Sequence, residues 1–395
     1  MPCTKQKVFI FLMIRESWYY INMTKKNVRR RFSFLITVLA GGSIVHLTRQ
    51  LANHSIDLKY AGRVMGTVIV SCILEPFRWL EELIWRKQVN SIKISKPPVF
   101  IVGFWRSGTT LLHNLLCLTP GAAYITTYQT VFPNLLLSHS WWFKPIIGKF
   151  WPTHRPFDNV RMGMDLPQEE EIALANVQDI SFYNFLYFPK DFERFYTRQL
   201  FIKYLEDKDV GKWKFEYVKM IRKAYLNTRG DLFISKSPSN MARISRILEM
   251  FPDARFIFLY RDPYKTVESF YRFFHEVLPV VQIQEINNSL NRERITRVYT
   301  DMIRQYFHDK DMIPPQNLLE IKFEDFNENP VEGLRMIFDQ FEIKGFEEAG
   351  KFFENYLDEQ SEFIPNKYEI TRETIKWVNE YAGDIVDSLD YPKRG

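Results

Sequence analysis

The sequence predicts an α/β protein in which helices cover both faces of a central parallel sheet. Apolar runs of strand length at 98–102, 232–235 and 255–260 are each followed by a turn and then by residues with helical spacing, as in the predicted helix at 239–250. Repeated strand–helix units form parallel sheets, because each helix returns the chain across a face of the sheet. A further strand is predicted at 318–323, before the helices that end the chain.

Composition and charge argue against two broad classes of protein. With 46% hydrophobic and 25% charged residues over 395 positions, the chain is ordinary for a globular protein and is not disordered throughout. The net charge of +6 comes from residues 1–31, which hold eight Lys and Arg against one Glu and leave about −1 for the rest of the chain. A nucleic-acid-binding protein carries its basic surface on the folded body, so this distribution argues against one. The three cysteines are scattered and define neither a disulfide framework nor a metal cluster.

We predict three parts along the chain. Residues 1–31 form a basic arm, and residues 32–96 form helices that pack against the main domain or against a membrane. The main domain spans 97–395, with the boundary at Ser95-Lys96-Pro97-Pro98. It contains an aromatic-rich insertion at about 124–196, which either lines a ligand pocket or forms ordinary aromatic core.

The helical extension raises the question of membrane contact. Phe32–Thr48 carries no charged side chain over 17 residues, which is at the short limit for a membrane-spanning helix. We favour a helix that lies at a membrane interface or packs on the protein. Gly66 and Pro76 are expected to interrupt the helices that follow, and Met23 would also serve as a start of the chain. The expected location is cytoplasmic, with any membrane contact made peripherally through this N-terminal region.

The first predicted strand leads into a loop with the frame G-x-x-x-x-G-T-T. Gly103 and Gly108 supply the two glycines, and Thr109 and Thr110 follow them. This is the phosphate loop of nucleoside triphosphatases with Thr in place of the Lys that reaches the terminal phosphates, and Arg106 lies inside the loop instead. The first amides of a helix after such a loop bind anions, because they have no partner within the helix and its dipole favours negative charge. We therefore predict a three-layer, P-loop-like fold that binds a phosphate-bearing ligand other than ATP with magnesium.

Three of the predicted strands are followed by a cation, namely Arg106, Lys236 and Arg261. Ligands of parallel sheets bind at the carboxyl ends of the strands. Three cations at the same topological position therefore indicate a ligand with several negative charges. Since no strand end carries a convincing acidic metal site, a nucleotide-dependent kinase or hydrolase of the phosphate-loop class is the less favoured alternative.

The motif Arg106-Ser107-Gly108-Thr109-Thr110 after an apolar strand resembles the 5′-phosphosulfate loop of PAPS-dependent sulfotransferases, in the broad branch shared by many bacterial enzymes and the tyrosylprotein sulfotransferases. The resemblance runs from about Pro97 to the C-terminus. It implies that the chain moves a sulfuryl group from PAPS (3′-phosphoadenylyl sulfate) to an acceptor hydroxyl or amine by in-line displacement. Cations would compensate the charge, so that no metal is required. A non-catalytic, membrane-associated scaffold of the same fold is another alternative.

The resemblance also implies roles for residues outside the loop. Lys236, in Ile234-Ser235-Lys236-Ser237-Pro238, resembles the lysine that contacts the sulfonate and the bridging oxygen. Arg261 and Ser269, eight residues apart, resemble the pair that binds the 3′-phosphate, and Asp262 is expected to cap the helix between them. Lys367 lies where relatives often have a C-terminal loop that reaches the cofactor.

The general base is expected among three carboxylates at the start of a helix. The tyrosylprotein branch uses a Glu downstream of the loop helix, but the corresponding position here is Gln129, which cannot usefully accept a proton. In Pro167-Gln168-Glu169-Glu170-Glu171, at the start of a helix predicted over 168–177, Glu170 shares a face with apolar residues. Burial would raise its pKa and make it the favoured base, with Glu169 second. The same carboxylates would also stabilise the helix start through its dipole.

Three further side chains are weaker candidates for the base. His113 lies on the loop helix, where a packed histidine is the favoured alternative, and His154 and Asp165 lie in the insertion. The sequence does not define the acceptor, since an aromatic lining suits a lipid, a sugar ring or a phenol about equally. We therefore expect a small-molecule, lipid or glycan acceptor and no nucleic-acid partner.

Overall fold

The computed structural model describes residues 37–149, 151, 161–202, 204–286, 290–361 and 369–395. The basic arm, Met23, His154 and Lys367 lie outside these residues, as do the first residues of Phe32–Thr48. What the sequence indicates for them stays a prediction.

Within the described residues, five parallel strands form one sheet in the order β2-β3-β1-β4-β5. Their bounds are β1 Val99–Val102, β2 Ala122–Ala123, β3 Leu232–Lys236, β4 Arg255–Tyr260 and β5 Leu318–Lys322. The four predicted strands are confirmed, with β4 at its predicted bounds and the others shifted at one end by a single residue. The sequence does not predict β2, because two alanines carry no strand pattern.

The register of the strands brings their carboxyl ends to one edge of the sheet. β1 lies at the centre, with Ile101 opposite Lys236 of β3 and Val102 opposite Phe258 of β4. β1 is buried along its whole length, as its uninterrupted apolar sequence predicts. The parallel α/β fold is therefore confirmed, and the residues that follow these strands gather at a single edge.

Helices pack on both faces of the sheet and precede it. They are α1 Ile44–Asn53, α2 Ala61–Ser91, α3 Thr109–Leu116, α4 Thr127–Val131, α5 Ser140–Gly148, α6 Glu170–Val177, α7 Phe192–Phe195, α8 Asp207–Thr228, α9 Ile244–Met250, α10 Pro263–Val281, α11 Arg292–Asp309, α12 Phe323–Glu328, α13 Pro330–Gln340, α14 Phe346–Ser361 and α15 Arg372–Ser388. Short 3-10 turns lie at Val38–Gly41, Leu58–Tyr60, Phe182–Leu186, Pro189–Asp191, Pro238–Ala242, Lys310–Met312 and Pro315–Asn317, and a π-helical turn at Tyr196–Leu200. α1 and α2 form the predicted N-terminal helical extension.

The sheet divides the hydrophobic core into two layers. Phe100 of β1 and Phe256 of β4 point into one layer, whereas their neighbours Ile101 and Ile257 point into the other. The first layer also contains aromatic residues of the insertion, such as Phe185. These rings are therefore aromatic core, which is one of the two alternatives that the sequence left open.

The path of α2 corrects one expectation about the N-terminal region. Gly66 and Pro76 do not interrupt this helix, which continues through both. A proline inside a helix removes one backbone hydrogen bond and disturbs the preceding turn. Arg78, two residues after the proline, donates from its guanidinium to the carbonyl oxygens of Ser71 at 2.8 Å and Ala40 at 2.6 Å.

The described part of Phe32–Thr48 folds into a 3-10 turn and the beginning of α1. Among the helices that the structure describes, none combines the length and the apolar character that crossing a bilayer requires.

A second expectation is corrected after β3. The helix predicted over 239–250 is split into a 3-10 turn and α9, with Arg243 between them at φ −134° and ψ 19°. The side chain of Arg243 is buried and donates to Glu171 at 2.6 Å and to the carbonyl oxygen of Leu200 at 2.9 Å. These distant contacts hold the backbone where the local sequence alone favours a continuous helix.

Glu268 of α10 joins this helix to α11 and α15. Its buried carboxylate accepts hydrogen bonds from Arg272 at 2.7 Å, from Arg292 of α11 at 3.2 Å and from Thr374 of α15 at 2.6 Å. Burial acts to raise the pKa of Glu268, but these donors outweigh burial and lower its pKa to about 2. Glu373 reaches the same Arg292 at 3.1 Å from an exposed position.

We expect Glu268→Gln to lower the free energy of unfolding at neutral pH by roughly 3 kcal/mol, because Arg292 loses a buried carboxylate partner. Glu373→Gln should lower it by less than about 1 kcal/mol, because it removes only an exposed ion pair of the same arginine. Urea unfolding followed by circular dichroism measures both values.

The difference in stability between Glu268→Gln and Glu373→Gln should depend on pH. Since folding lowers the pKa of Glu268 from 4.5 to about 2, its stabilisation is complete above the upper value and is lost as the pH falls towards the lower one. The difference between the two variants should therefore shrink on acidification. Equal losses of stability in the two variants at neutral pH would contradict the role given to Glu268.

Candidate active site

The loop between β1 and α3 adopts a backbone that depends on glycine. Gly108 precedes α3 with φ 91°, in the left-handed region, and Arg106 also has a positive φ of 71°. A Cβ at Gly108 would overlap the ring of Phe323, and a Cβ at Gly103 would overlap the carbonyl oxygen of Leu259. The turn places the first amides of α3 at the carboxyl edge of the sheet, where the helix dipole favours an anion.

Arg106, Arg261 and Ser269 meet on one side of this loop. Nε of Arg106 donates to Oγ of Ser269 at 3.1 Å, and the guanidinium of Arg261 donates to the carbonyl oxygen of Arg106 at 3.2 Å. Burial lowers the pKa of Arg261, and the nearby charge of Arg106 acts in the same direction. The buried Nε of Arg261 has no hydrogen-bond partner among the described residues. Two cations and a hydroxyl therefore face one small volume.

The start of α10 fixes the separation of Arg261 and Ser269. Asp262 caps this helix as predicted, since its Oδ1 accepts the amides of Tyr264 at 2.9 Å and Lys265 at 3.2 Å. The cap begins the helix directly after Arg261 and places Ser269 two turns along it.

Lys236 lies on the other side of the loop. Its Nζ is 2.5 Å from Oε1 of Glu169 and 3.4 Å from Oγ1 of Thr110, in the first turn of α3. Because β3 ends at Lys236, the strand register determines this position. The structure thus brings Lys236 and the Arg106–Arg261 pair to the two flanks of one short loop.

Two aromatic residues that the sequence analysis does not identify hold Glu169. The hydroxyl of Tyr183 donates to Oε2 of Glu169, and Nε1 of Trp105 donates to the hydroxyl oxygen of Tyr183 at 2.7 Å. A chain of polar contacts therefore runs from Trp105 through Tyr183 and Glu169 to Lys236. The aromatic run of the insertion is the sequence signal for Tyr183, but such a run does not reveal which ring has a polar partner.

The three consecutive carboxylates near the start of α6 have different surroundings. Glu169 is partly exposed and contacts Lys236, whereas Glu171 is buried against the arginine that follows β3. Glu170 is buried, and its oxygens accept no hydrogen bond of ordinary geometry from any described residue. Burial raises the pKa of Glu170 to about 7, against the opposing effects of Ser235 and Lys236. The predicted burial of Glu170 is confirmed.

The other described positions considered for the general base lie in the core or on the exposed surface. His113 is packed in the core, and burial, together with the charge of Lys236, lowers its pKa to about 3. Gln129 is buried and donates to the carbonyl oxygen of Met220 at 3.0 Å, which gives it a structural contact. Asp165 is exposed and forms an ion pair with a lysine of α5.

A model of the sulfotransferase family matches residues 97–348, which is well over half of the chain and includes the loop, Lys236, Arg261 and Ser269. The chain is 27% identical over 313 residues to the omega-hydroxy-beta-dihydromenaquinone-9 sulfotransferase Stf3 of Mycobacterium bovis, and equally so to Stf3 of Mycobacterium tuberculosis. Each match covers 79% of this chain and 80% of the relative.

Two solved structures share the fold. The crystal structure of sulfotransferase STF9 from Mycobacterium avium superposes with a TM-score of 0.62 at 16% identity, over 89% of this chain and 96% of the other. The crystal structure of sulfotransferase STF1 from Mycobacterium tuberculosis superposes with a TM-score of 0.55 at 13% identity, over 86% of this chain and 90% of the other. At these identities the likeness concerns the fold, and it agrees with the parallel α/β architecture.

The raised pKa of Glu170 predicts a pH-dependent effect on stability. The pKa of this carboxyl is about 7 in the folded protein and 4.5 in the unfolded chain. Folding therefore becomes less favourable as the pH rises through this interval, because the carboxyl ionises in the unfolded chain but stays protonated in the folded protein. Glu170→Gln removes this cost, so the variant should gain roughly 2–3 kcal/mol relative to the wild type over the interval.

Urea unfolding of both proteins between about pH 5 and 8 measures this gain. Glu206→Gln, which removes a carboxylate from an exposed surface, is the control. If the stability of Glu170→Gln relative to the wild type stays constant over the same range, the carboxyl is not buried as described.

Proposed function

Because this chain belongs to the sulfotransferase family and transfers a sulfuryl group, we propose that PAPS is the donor and that the acceptor is a hydroxyl on a lipid-like molecule. The observation that carries the donor assignment is the meeting of Arg106, Arg261 and Lys236 around one anion-binding loop. Family membership does not favour the kinase, the hydrolase or the non-catalytic scaffold that the sequence left as alternatives.

The described residues fit a nucleotide with two anionic ends. The motif Arg106-Ser107-Gly108-Thr109-Thr110 would hold the 5′-phosphosulfate, because it combines a cation with the free amides of a helix start. Arg261 and Ser269 would hold the 3′-phosphate. The unsatisfied, buried Nε of Arg261 supports an anionic partner at that position. Lys367 stays a prediction, since it lies outside the described residues.

PAPS would supply an activated sulfuryl group, and side chains of this protein would compensate the charge that moves. A bond forms between the acceptor oxygen and sulfur, while the bond between sulfur and the bridging oxygen breaks and leaves its electron pair on the phosphate of PAP. Lys236 would stabilise the charge that develops on that oxygen. Its contact with Thr110 supports this role, because Thr110 belongs to the loop assigned to the phosphosulfate.

We assign removal of the acceptor proton to Glu169. This carboxylate lies against Lys236, next to the loop, and it is partly exposed. The hydroxyl of Tyr183 would hold it in that orientation. Glu170, which the sequence favours, has a pKa suited to a base, but its complete burial leaves no access for an acceptor oxygen.

The acceptor class rests on the relatives and on the surroundings of Glu169. Stf3 is named for an omega-hydroxy menaquinone, which carries a hydroxyl on a lipid-like molecule. In the present chain, Trp105 stacks on Phe270 with ring centroids 5.1 Å apart and contacts Tyr183, so the tyrosine that binds the proposed base belongs to an aromatic cluster. An apolar acceptor suits such surroundings better than a sugar does.

The assignment of Arg261 and Ser269 predicts that PAP binds at least about tenfold more tightly than AMP, because only PAP carries the 3′-phosphate. Isothermal titration calorimetry of the full chain measures both affinities. Arg261→Ala should weaken PAP binding and remove the difference. Lys265→Ala, on the exposed side of the same helix, should preserve it. PAP binding that is no tighter than AMP binding in the wild type would refute the assignment.

The assignment of Glu169 predicts that Glu169→Gln lowers kcat for a hydroxylated polyprenyl quinone in detergent micelles by about 100-fold or more, because the acceptor proton loses its base. PAP affinity should change little. Glu170→Gln, the neighbouring variant, should lower kcat by less than about tenfold. Transfer of radiolabel from PAPS measures both rates, and a larger loss in Glu170→Gln would transfer the role to Glu170.

A further inference from the structure

Helix α2 has an exposed apolar face. Between residues 61 and 84, every exposed residue of this helix is nonpolar. The face is formed by Met65, Ile69, Ile73, Phe77, Leu80 and Ile84. Their spacing of three or four residues places them along one side of the helix, over a length of about 30 Å. A continuous apolar stripe of this length on the protein surface indicates contact with a partner or a membrane.

Three of the five charged residues of the same stretch point towards the protein, and the other two, Glu75 and Glu82, form ion pairs with Arg78 and with Lys219 of α8. Arg63, Arg78 and Glu81 are buried. Arg63 donates to the carbonyl oxygen of Gln282 at 2.6 Å, and Glu81 accepts the amide of Leu136 at 2.9 Å. A surface helix of a globular protein normally has the opposite polarity, with its charges in water and its apolar side in the core. Polar contacts therefore hold α2 on the domain, and its apolar face is left for a contact outside it.

The neighbouring helix α5 also exposes apolar side chains. α5 packs against α2 through Trp142, whose ring centroid is 5.7 Å from that of Phe77. Its other side exposes Trp141 and Ile146. Tryptophan is enriched where proteins meet the headgroup region of a bilayer, because its ring is apolar and its indole N–H is polar.

The sequence carries a run of positive charge shortly before the first described residue. Thr37, the first described residue, donates its amide to Oγ1 of Thr67 in α2 at 2.9 Å, so residues 1–36 connect to the described protein at this helix. The segment Lys25–Arg31 contains five Lys and Arg. The six residue steps from Arg31 to Thr37 span at most about 20 Å. Chain length alone therefore keeps the end of the basic run within about 20 Å of Thr37.

We propose that α2 and α5 form a docking face for an anionic lipid surface. The apolar face of α2 would enter the headgroup region with the helix parallel to the bilayer, and Lys25–Arg31 would bind lipid phosphates. Apolar burial and positive charge together are the two attractions that hold interfacial proteins on membranes. The inference does not depend on PAPS or on the identity of the acceptor. If the acceptor is a lipid, this contact would bring the enzyme to it.

A second copy of the chain suits this surface less well. A copy could cover the apolar face, but its body carries a net charge of about −1 and offers little to a run of five cations. Anionic headgroups satisfy both features at once.

Co-sedimentation of the full chain with vesicles tests the proposal. We expect binding to phosphatidylcholine vesicles that contain about 30% phosphatidylglycerol, weaker binding to phosphatidylcholine alone, and release by salt. Ile73→Glu with Leu80→Glu, at side chains 61% and 47% exposed, should reduce the bound fraction at least about tenfold. Met336→Glu with Phe352→Glu is the matched control, because those side chains are 50% and 56% exposed on α13 and α14, and it should bind as the wild type does.

A charge variant and two fold controls complete the test of membrane binding. Neutralising Arg29, Arg30 and Arg31 with Gln should weaken binding to the anionic vesicles only. Thermal unfolding and PAP binding should be unchanged in the Ile73/Leu80 variant, which shows that a loss of binding is not a loss of fold. No sedimentation of the wild type would overturn the proposal. A wild-type dimer in analytical ultracentrifugation that the Ile73/Leu80 variant dissociates would instead assign the face to a second copy.

Discussion

The parallel register of β3, β1 and β4 is the constraint on which the site depends. Because these strands end at one edge of the sheet, Lys236, Arg106 and Arg261 meet around a loop of six residues. Gathering cations in a partly buried place costs free energy, and the lowered pKa of Arg261 reflects that cost. A bound anion with two charged ends would remove it. A nucleotide with two anionic ends would therefore offset the unfavourable gathering of positive charge that the fold creates.

Lys236 forms an ion pair with Glu169, which belongs to the insertion between β2 and β3. Among the described residues, no other carboxylate contacts Lys236 directly. Three adjacent glutamates begin α6, and the turn of the helix sends each in a different direction. Glu171 pairs with the buried Arg243, which fixes the start of the helix. Glu170 consequently points into the apolar interior, and Glu169 is left beside Lys236. A structural ion pair thus determines which carboxylate can reach the loop.

The sequence was sufficient to predict those features of the fold and the site that depend on neighbouring residues alone. The strand bounds, the glycine loop, the cap at Asp262 and the burial of Glu170 follow from periodicity and helix geometry. The features that the sequence did not predict depend on contacts between residues that are distant in the chain. Arg243 interrupts a predicted helix where its side chain contacts Glu171, and α2 continues through Pro76 while Arg78 binds the carbonyl oxygens of Ser71 and Ala40. Tyr183 was missed because only its contact with Glu169 distinguishes it from the aromatic core around it.

The inverted polarity of α2 has an energetic consequence. Exposed apolar side chains cost free energy in water, at roughly 25 cal/mol per Å², and buried charges cost more unless each is hydrogen-bonded. Rotating the helix about its axis would relieve the first cost, but it would break the hydrogen bonds of Arg63, Arg78 and Glu81 with backbone groups. Those contacts are specific to one orientation, whereas apolar burial is not directional. The buried polar groups therefore determine which side of α2 faces outwards, and the helix stays oriented for an apolar contact even where no such contact is present.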